Sequence, residues 1–135
     1  MQSYRNILVA IDGSAADDAL IAQVSALAAP LGSRVRLLHV THSHTLDQER
    51  ALREQASEFL KRHRAIMEEQ GIEVEVLVRS GEPDSEILRE IEEGQYDLLA
   101  IAAHGHSLLG RILFGSVSRS LRNKITIPLL LVKGE

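Results

Sequence analysis

The stretch Ile7-Leu8-Val9-Ala10-Ile11-Asp12-Gly13-Ser14 decides how this chain is read. Five apolar residues in a row, with no polar alternation, describe a strand covered on both faces. Asp12-Gly13-Ser14 breaks that strand, and Ser14 with Asp17 three positions later has the form of a capping box that opens a helix. Leu20, Val24, Leu27 and Leu31 follow at helical spacing as far as Gly32, with Pro30 placed to distort the last turn.

Outward from this unit the same alternation recurs. Residues 35–40 form a second apolar strand, followed by a polar loop over 41–45. A long helix comes next, with Leu52, Ala56, Phe59, Leu60, His63, Ile66 and Met67 on one face and Arg53, Glu54, Glu58, Lys61, Arg62 and Glu69 on the other; Gly71 ends it. Val74, Val76 and Val78 alternate with Glu73, Glu75 and Leu77, the pattern of a strand near a sheet edge. Pro83 suits a first helical position, Asp84 and Glu86 a first turn, and Ile87, Leu88 and Ile91 a short apolar stripe closed by Gly94. A fourth strand over 97–102, a helix over 117–124 and a fifth strand over 128–133 complete the chain. Strands and helices in strict alternation predict an α/β fold: an open parallel sheet of five strands, Rossmann-like, with helices on both faces.

Composition bounds the function. The 135 residues, 44% hydrophobic, suffice for one domain over 1–135. No run approaches the ~20 apolar residues of a membrane span, and the chain passes straight into its first strand without a signal-peptide pattern, so a cytoplasmic protein without membrane insertion is expected. With no cysteine there is neither a disulfide nor a thiolate site. Aromatics are 3%, tryptophan is absent and the net charge is −4, which argues against a nucleic-acid partner.

A second stretch carries the chemistry. Ala102-Ala103-His104-Gly105 is followed by nine residues and then Gly115-Ser116-Val117-Ser118. An apolar strand enters this loop and a helix leaves it. Glycine lets backbone N–H groups approach an anion, a helix start adds unpaired N–H groups and partial positive charge, and Ser116 and Ser118 add hydroxyls. Residues 98–134 contain no Asp or Glu but hold Arg111, Arg119, Arg122, Lys124 and Lys133, while the remainder of the chain carries −9. Such separation fits a small anion bound locally, with Arg111 inside the loop the cation of most interest. In open α/β sheets a ligand lies beyond the carboxyl ends of the strands, where Asp12, Thr41 and Ala102 fall. Asp12 there offers a carboxylate to a ribose hydroxyl or to a nucleotide-borne magnesium ion, although Asp12-Gly13-Ser14 taken alone is an ordinary turn and cap.

These elements in this order resemble the universal stress protein family across nearly the whole chain, from Ile7 to Lys133. The resemblance rests on residues 7–14, Leu37-Leu38-His39-Val40, Gly81-Glu82-Pro83, the glycine loop and Pro128-Leu129-Leu130-Leu131-Val132-Lys133. ATP-binding members carry Gly, two residues, Gly, nine residues, then Gly and Ser or Thr; Gly105, Gly115 and Ser116 match, and Ala102 replaces the first glycine. The resemblance implies strand order 3-2-1-4-5 and bound ATP or ADP with Mg2+. It implies contacts from Asp12 and the Val40 backbone to adenine and ribose, from Ala102 and Gly105 to ribose and phosphate, and from Gly115, Ser116, Val117 and Ser118 to phosphates; Ala10, His104 and Arg111 complete the expected nucleotide-binding set. It also implies a homodimer through Leu129, Leu130, Leu131 and Val132.

Two pairs, His42 with His44 and His104 with His106, sit after strands, and brought together they would supply four nitrogen ligands; solvated loop histidines are the commoner case. His39 and His63 lie on apolar faces, where a hydrogen-bonded buried imidazole is expected. No lysine follows the glycine loop as a P-loop requires, and Ser116 has no partner base in the sequence. The expectation is therefore a nucleotide-responsive regulatory or stress-response module without efficient catalysis. The alternatives are a slow ATP hydrolase or self-phosphorylating protein, with Ser116 or Ser118 as acceptor, and a nucleotide-free dimeric scaffold.

Overall fold

The computed structural model describes residues 4–103 and 121–133. The elements run β1 (Asn6–Ala10), α1 (Ala16–Leu31), β2 (Arg34–Thr41), α2 (Leu46–Glu68), β3 (Glu73–Ser80), α3 (Pro83–Glu93), β4 (Leu98–Ala103) and β5 (Leu129–Lys133). All strand pairs are parallel, and the order is β3-β2-β1-β4-β5. Strand limits differ from the sequence reading by a residue or two. β1 starts at Asn6, whose backbone N–H, with that of Arg5, donates to the Asp97 carboxylate at 2.9 Å.

The even alternation of β1 divides two apolar layers. Ile7, Val9 and Ile11 pack with Leu20 and Val24 of α1 and Leu60 and Met67 of α2. Leu8 and Ala10 pack with Leu38, Ile87 of α3, Ile101 and Leu121. This is why the central strand is continuously apolar: each face is covered by a different pair of connections. Leu121 and Arg122 are helical, and the rest of the helix expected over 117–124 lies outside the described residues.

Helix ends follow local chemistry. Thr45 accepts from the Gln48 N–H at 3.0 Å as the N-cap of α2. At the other end of α1, Gly32 adopts φ +67° and donates to the Ala28 and Ala29 carbonyls. Pro30 is accommodated inside that helix, which continues to Leu31. The capping box expected at the start of α1 is not formed. Ala15 is the N-cap without a side-chain bond, Ser14 Oγ accepts from the Ala16 N–H at 3.3 Å, and Asp17 turns away to the preceding loop. No described helix is long and apolar enough to cross a membrane.

Candidate functional site

The connections through α1 and α2 cover one face of the sheet and the α3 connection covers the other, so the direction of winding reverses between neighbouring β1 and β4. A crevice beyond the carboxyl ends of those two strands is the expected ligand position for such a sheet. Ala10 closes β1 and pairs in register with Leu38 on one side and Ile101 on the other, so the first, second and fourth strands reach this edge together. Asp12 follows two residues beyond Ala10, and Val40 lies two residues beyond Leu38, half-buried on the α3 side.

Four contacts hold the chain after β1. The Ile11 carbonyl accepts from His39 Nδ1 at 2.9 Å, which fixes the tautomer, since a carbonyl only accepts. The N–H groups of Asp12 and Gly13 donate to the two carboxyl oxygens of Asp17, at 3.2 and 2.8 Å. Ser14 N–H donates to Asp12 Oδ1 at 2.9 Å. Gly13 has φ +84°, and a Cβ there would stand 2.8 Å from Phe59 Cε2 on α2. Phe59 meets the His39 ring edge-on, with centroids 5.0 Å apart. The loop bearing the Asp12 carboxylate is therefore preorganised from α1, α2 and β2 at once.

Two titrating groups bonded to this loop are shifted by burial. Asp17 is 0% exposed, and burial, then the charge of Asp12, push its carboxyl up to about 8 against the opposing backbone hydrogen bonds. His39 is lowered by burial, with the Ile11 carbonyl and Asp12 acting against the shift, and so is a neutral imidazole.

A second polar knot lies at the ends of β2 and β3. The Glu49 carboxylate of α2 accepts from Thr41 Oγ1 at 2.9 Å, Ser43 Oγ at 2.7 Å, Arg53 Nε at 2.6 Å, and Ser80 Oγ. Hydrogen bonds from Ser80 and Ser43 are the main reason its acidity is held at about 2. These donors converge on one carboxylate, and Arg53 Nη2 also reaches Ser80 Oγ at 2.9 Å, so the knot ties α2 to the sheet edge.

Of the residues singled out from sequence, Asp12 follows the end of β1, Val40 lies near the end of β2, and Ala10 is the last residue of β1. Ala102 differs. Its methyl is fully buried in the layer against α1, alongside Val132, so its first role is packing. His104, Gly105, Arg111, Gly115, Ser116, Val117 and Ser118 lie outside the described residues.

The histidines divide as well. His42 and His44 meet edge-on with centroids 5.5 Å apart, and His42 Nδ1 stands 3.5 Å from Glu82. His104 and His106 lie outside the described residues. Among the described residues no group of three or more His, Cys, Asp or Glu side chains is placed to hold a metal. His39 has its expected hydrogen bond, whereas His63 is buried with no hydrogen-bond partner for Nδ1 among the described residues.

In the sequence Asp17 is legible only as part of a capping box and Phe59 only as part of an apolar helix face; their contacts with the Asp12-Gly13 turn are not legible there. The available signal was a carboxylate three positions before Leu20, on the apolar stripe of α1.

The sequence model of the Universal stress protein family matches residues 3–133. The chain belongs to the universal stress protein family. It is 26% identical over 147 residues to Universal stress protein YxiE of Bacillus subtilis, covering 96% of this chain and 99% of that one. It spans less than half the length of several other curated relatives that it matches. Among solved structures, it is similar to MJ0577 of Methanocaldococcus jannaschii, with a TM-score of 0.85, 26% identity and coverage of 98% and 97%. A universal stress protein from Archaeoglobus fulgidus in complex with dAMP is also 26% identical, with a TM-score of 0.73 over 96% and 98% of the two chains.

Proposed function

We propose that this universal stress protein binds an adenine nucleotide, ATP or ADP with Mg2+, in the crevice at the carboxyl ends of β1 and β4, as a nucleotide-responsive regulatory module. The observation that carries the reading is the β1–α1 loop, which bears the Asp12 carboxylate at the winding reversal and is held at Ile11 and Gly13 by His39, Asp17 and Phe59. Order of this kind lowers the entropic cost of binding. The dAMP complex of the Archaeoglobus relative supports the ligand class. In this reading Asp12 and the Val40 backbone meet ribose and adenine, and the segment from His104 to Ser118, including Gly105, Arg111, Gly115, Ser116 and Val117, meets the phosphates. The glycine loop has no lysine of the P-loop kind, so the reading is of binding rather than efficient turnover.

The proposed assembly is a homodimer through β5. Calorimetric titration with AMP, ADP and ATP tests the ligand reading. Wild type binds at least one of them, and Gly115→Val, which fills the phosphate space, abolishes binding while the far-ultraviolet circular dichroism stays unchanged. A folded Gly115→Val protein that binds ATP with wild-type affinity removes this site.

A further inference from the structure

The carboxyl of Asp17 is completely buried, yet the helix start it sits in does not use it as a cap. It faces backwards, receives the N–H groups of Asp12 and Gly13, and is hydrogen-bonded to the Asp12 side chain. Ionised carboxylates only accept, so two carboxyl groups joined by a hydrogen bond hold a proton between them. With the proton on Asp17, Asp17 is the donor of that hydrogen bond and Asp12 the acceptor. Asp12 is then oriented from two sides, by Asp17 and by the Ser14 N–H on Oδ1. A buried acid in a costly environment on a largely apolar helix face has a role beyond helix formation. What it holds in place is the loop that carries the Asp12 carboxylate just beyond the end of β1.

We propose that Asp17 is a positioning residue that locks the Asp12 carboxylate as an acceptor for a ribose hydroxyl, and thereby makes the site prefer ribonucleotides to 2′-deoxyribonucleotides. This rests on the nucleotide reading above. A site with a fixed charged acceptor for a hydroxyl group rejects an analogue lacking it, because the acceptor is then desolvated without a partner. The dAMP bound by the Archaeoglobus relative makes the deoxynucleotide the informative competitor.

The test is titration of AMP and dAMP into wild type, Asp17→Asn and Asp17→Leu, with folding followed by thermal melting and by the amide resonances of Asp12 and Gly13. Wild type binds AMP about tenfold more tightly than dAMP, the scale of one hydrogen bond to a charged group. Asp17→Asn keeps that preference, because an amide accepts from the Gly13 N–H and donates to Asp12 as the protonated acid does. Asp17→Leu offers neither contact, so the AMP affinity falls to that of dAMP while the dAMP affinity changes little. Equal binding of the two nucleotides by wild type overturns the proposal without any variant. So does an equal loss for both nucleotides in folded Asp17→Leu, which is what a merely structural residue produces. Collapse of the preference in Asp17→Asn overturns it too. Binding of neither nucleotide by wild type is a different result: it removes the nucleotide reading itself, and this proposal with it.

Discussion

At Gly13 one missing side chain permits two things that a Cβ would forbid. The backbone takes φ +84°, and Phe59 closes against it from α2. Gly13→Ala imposes both costs, so a loss of about 1–2 kcal/mol in unfolding free energy is expected from denaturant titration, together with weaker nucleotide binding. Asp17 adds a pH dependence whose sign follows from linkage. Its folded carboxyl lies at about 8 and its unfolded value near 3.8, so the folded state binds more protons between those limits and stability declines as pH rises through them. Asp17→Asn lacks that slope. Measured against wild type, the variant gains relative stability from pH 4 to pH 8, by on the order of a few kcal/mol at the upper end. Glu49 acts in the opposite direction: held at about 2, it contributes stability above its unfolded value near 4.5, and that contribution is lost on acidification toward 2. Asp12 could be read from sequence because it ends an apolar run. The partner of Asp17 could not, because it depends on which way Gly13 turns the chain.

Among the elements, α3 is fastened to the sheet by charge as well as by its short apolar stripe. Glu90 accepts from Arg36 at 3.0 Å, from Arg79 at 2.9 Å and from the Tyr96 hydroxyl, while Arg79 also reaches Glu86 and Glu93. Burial opposes ionisation of Glu90, but the hydrogen bonds from Tyr96, Arg79 and Arg36 prevail and hold it below the usual carboxylate range. Removing that carboxylate leaves two guanidinium groups short of a partner beneath a helix. Glu90→Ala is therefore expected to cost about 3 kcal/mol, read as a lower urea midpoint, and Glu90→Gln, which keeps an acceptor, less. The amphipathic stripes of α1, α2 and α3 were legible as periodicity. The network was not, since Arg36, Arg79 and Glu90 are far apart in sequence and each alone resembles a solvated surface charge.

Across the whole molecule the two sheet edges are unlike. β3 carries Glu73 and Glu75, which Arg34 and Arg36 of β2 pair across the strands, so that edge is charged. β5 is Leu129-Leu130-Leu131-Val132 with Leu131 42% exposed, and among the described strands it pairs only with β4. Antiparallel pairing with a second copy would satisfy its outer backbone groups and cover that leucine. Sedimentation at tens of micromolar should give a dimer, and Leu130→Pro, which removes a ladder donor, a monomer or insoluble protein. A wild-type monomer with and without ATP removes the interface.

The sequence by itself determined the parallel α/β architecture, because the periods of strand and helix, and the continuous apolarity of residues 7–11, are local properties of the chain. It also determined that Asp12 would stand at a strand end. Only the tertiary structure decided which groups brace that carboxylate. His39, Phe59 and Asp17 come from three different elements and meet at one loop, a meeting set by crossover handedness and by the φ of a single glycine rather than by anything in their sequence spacing.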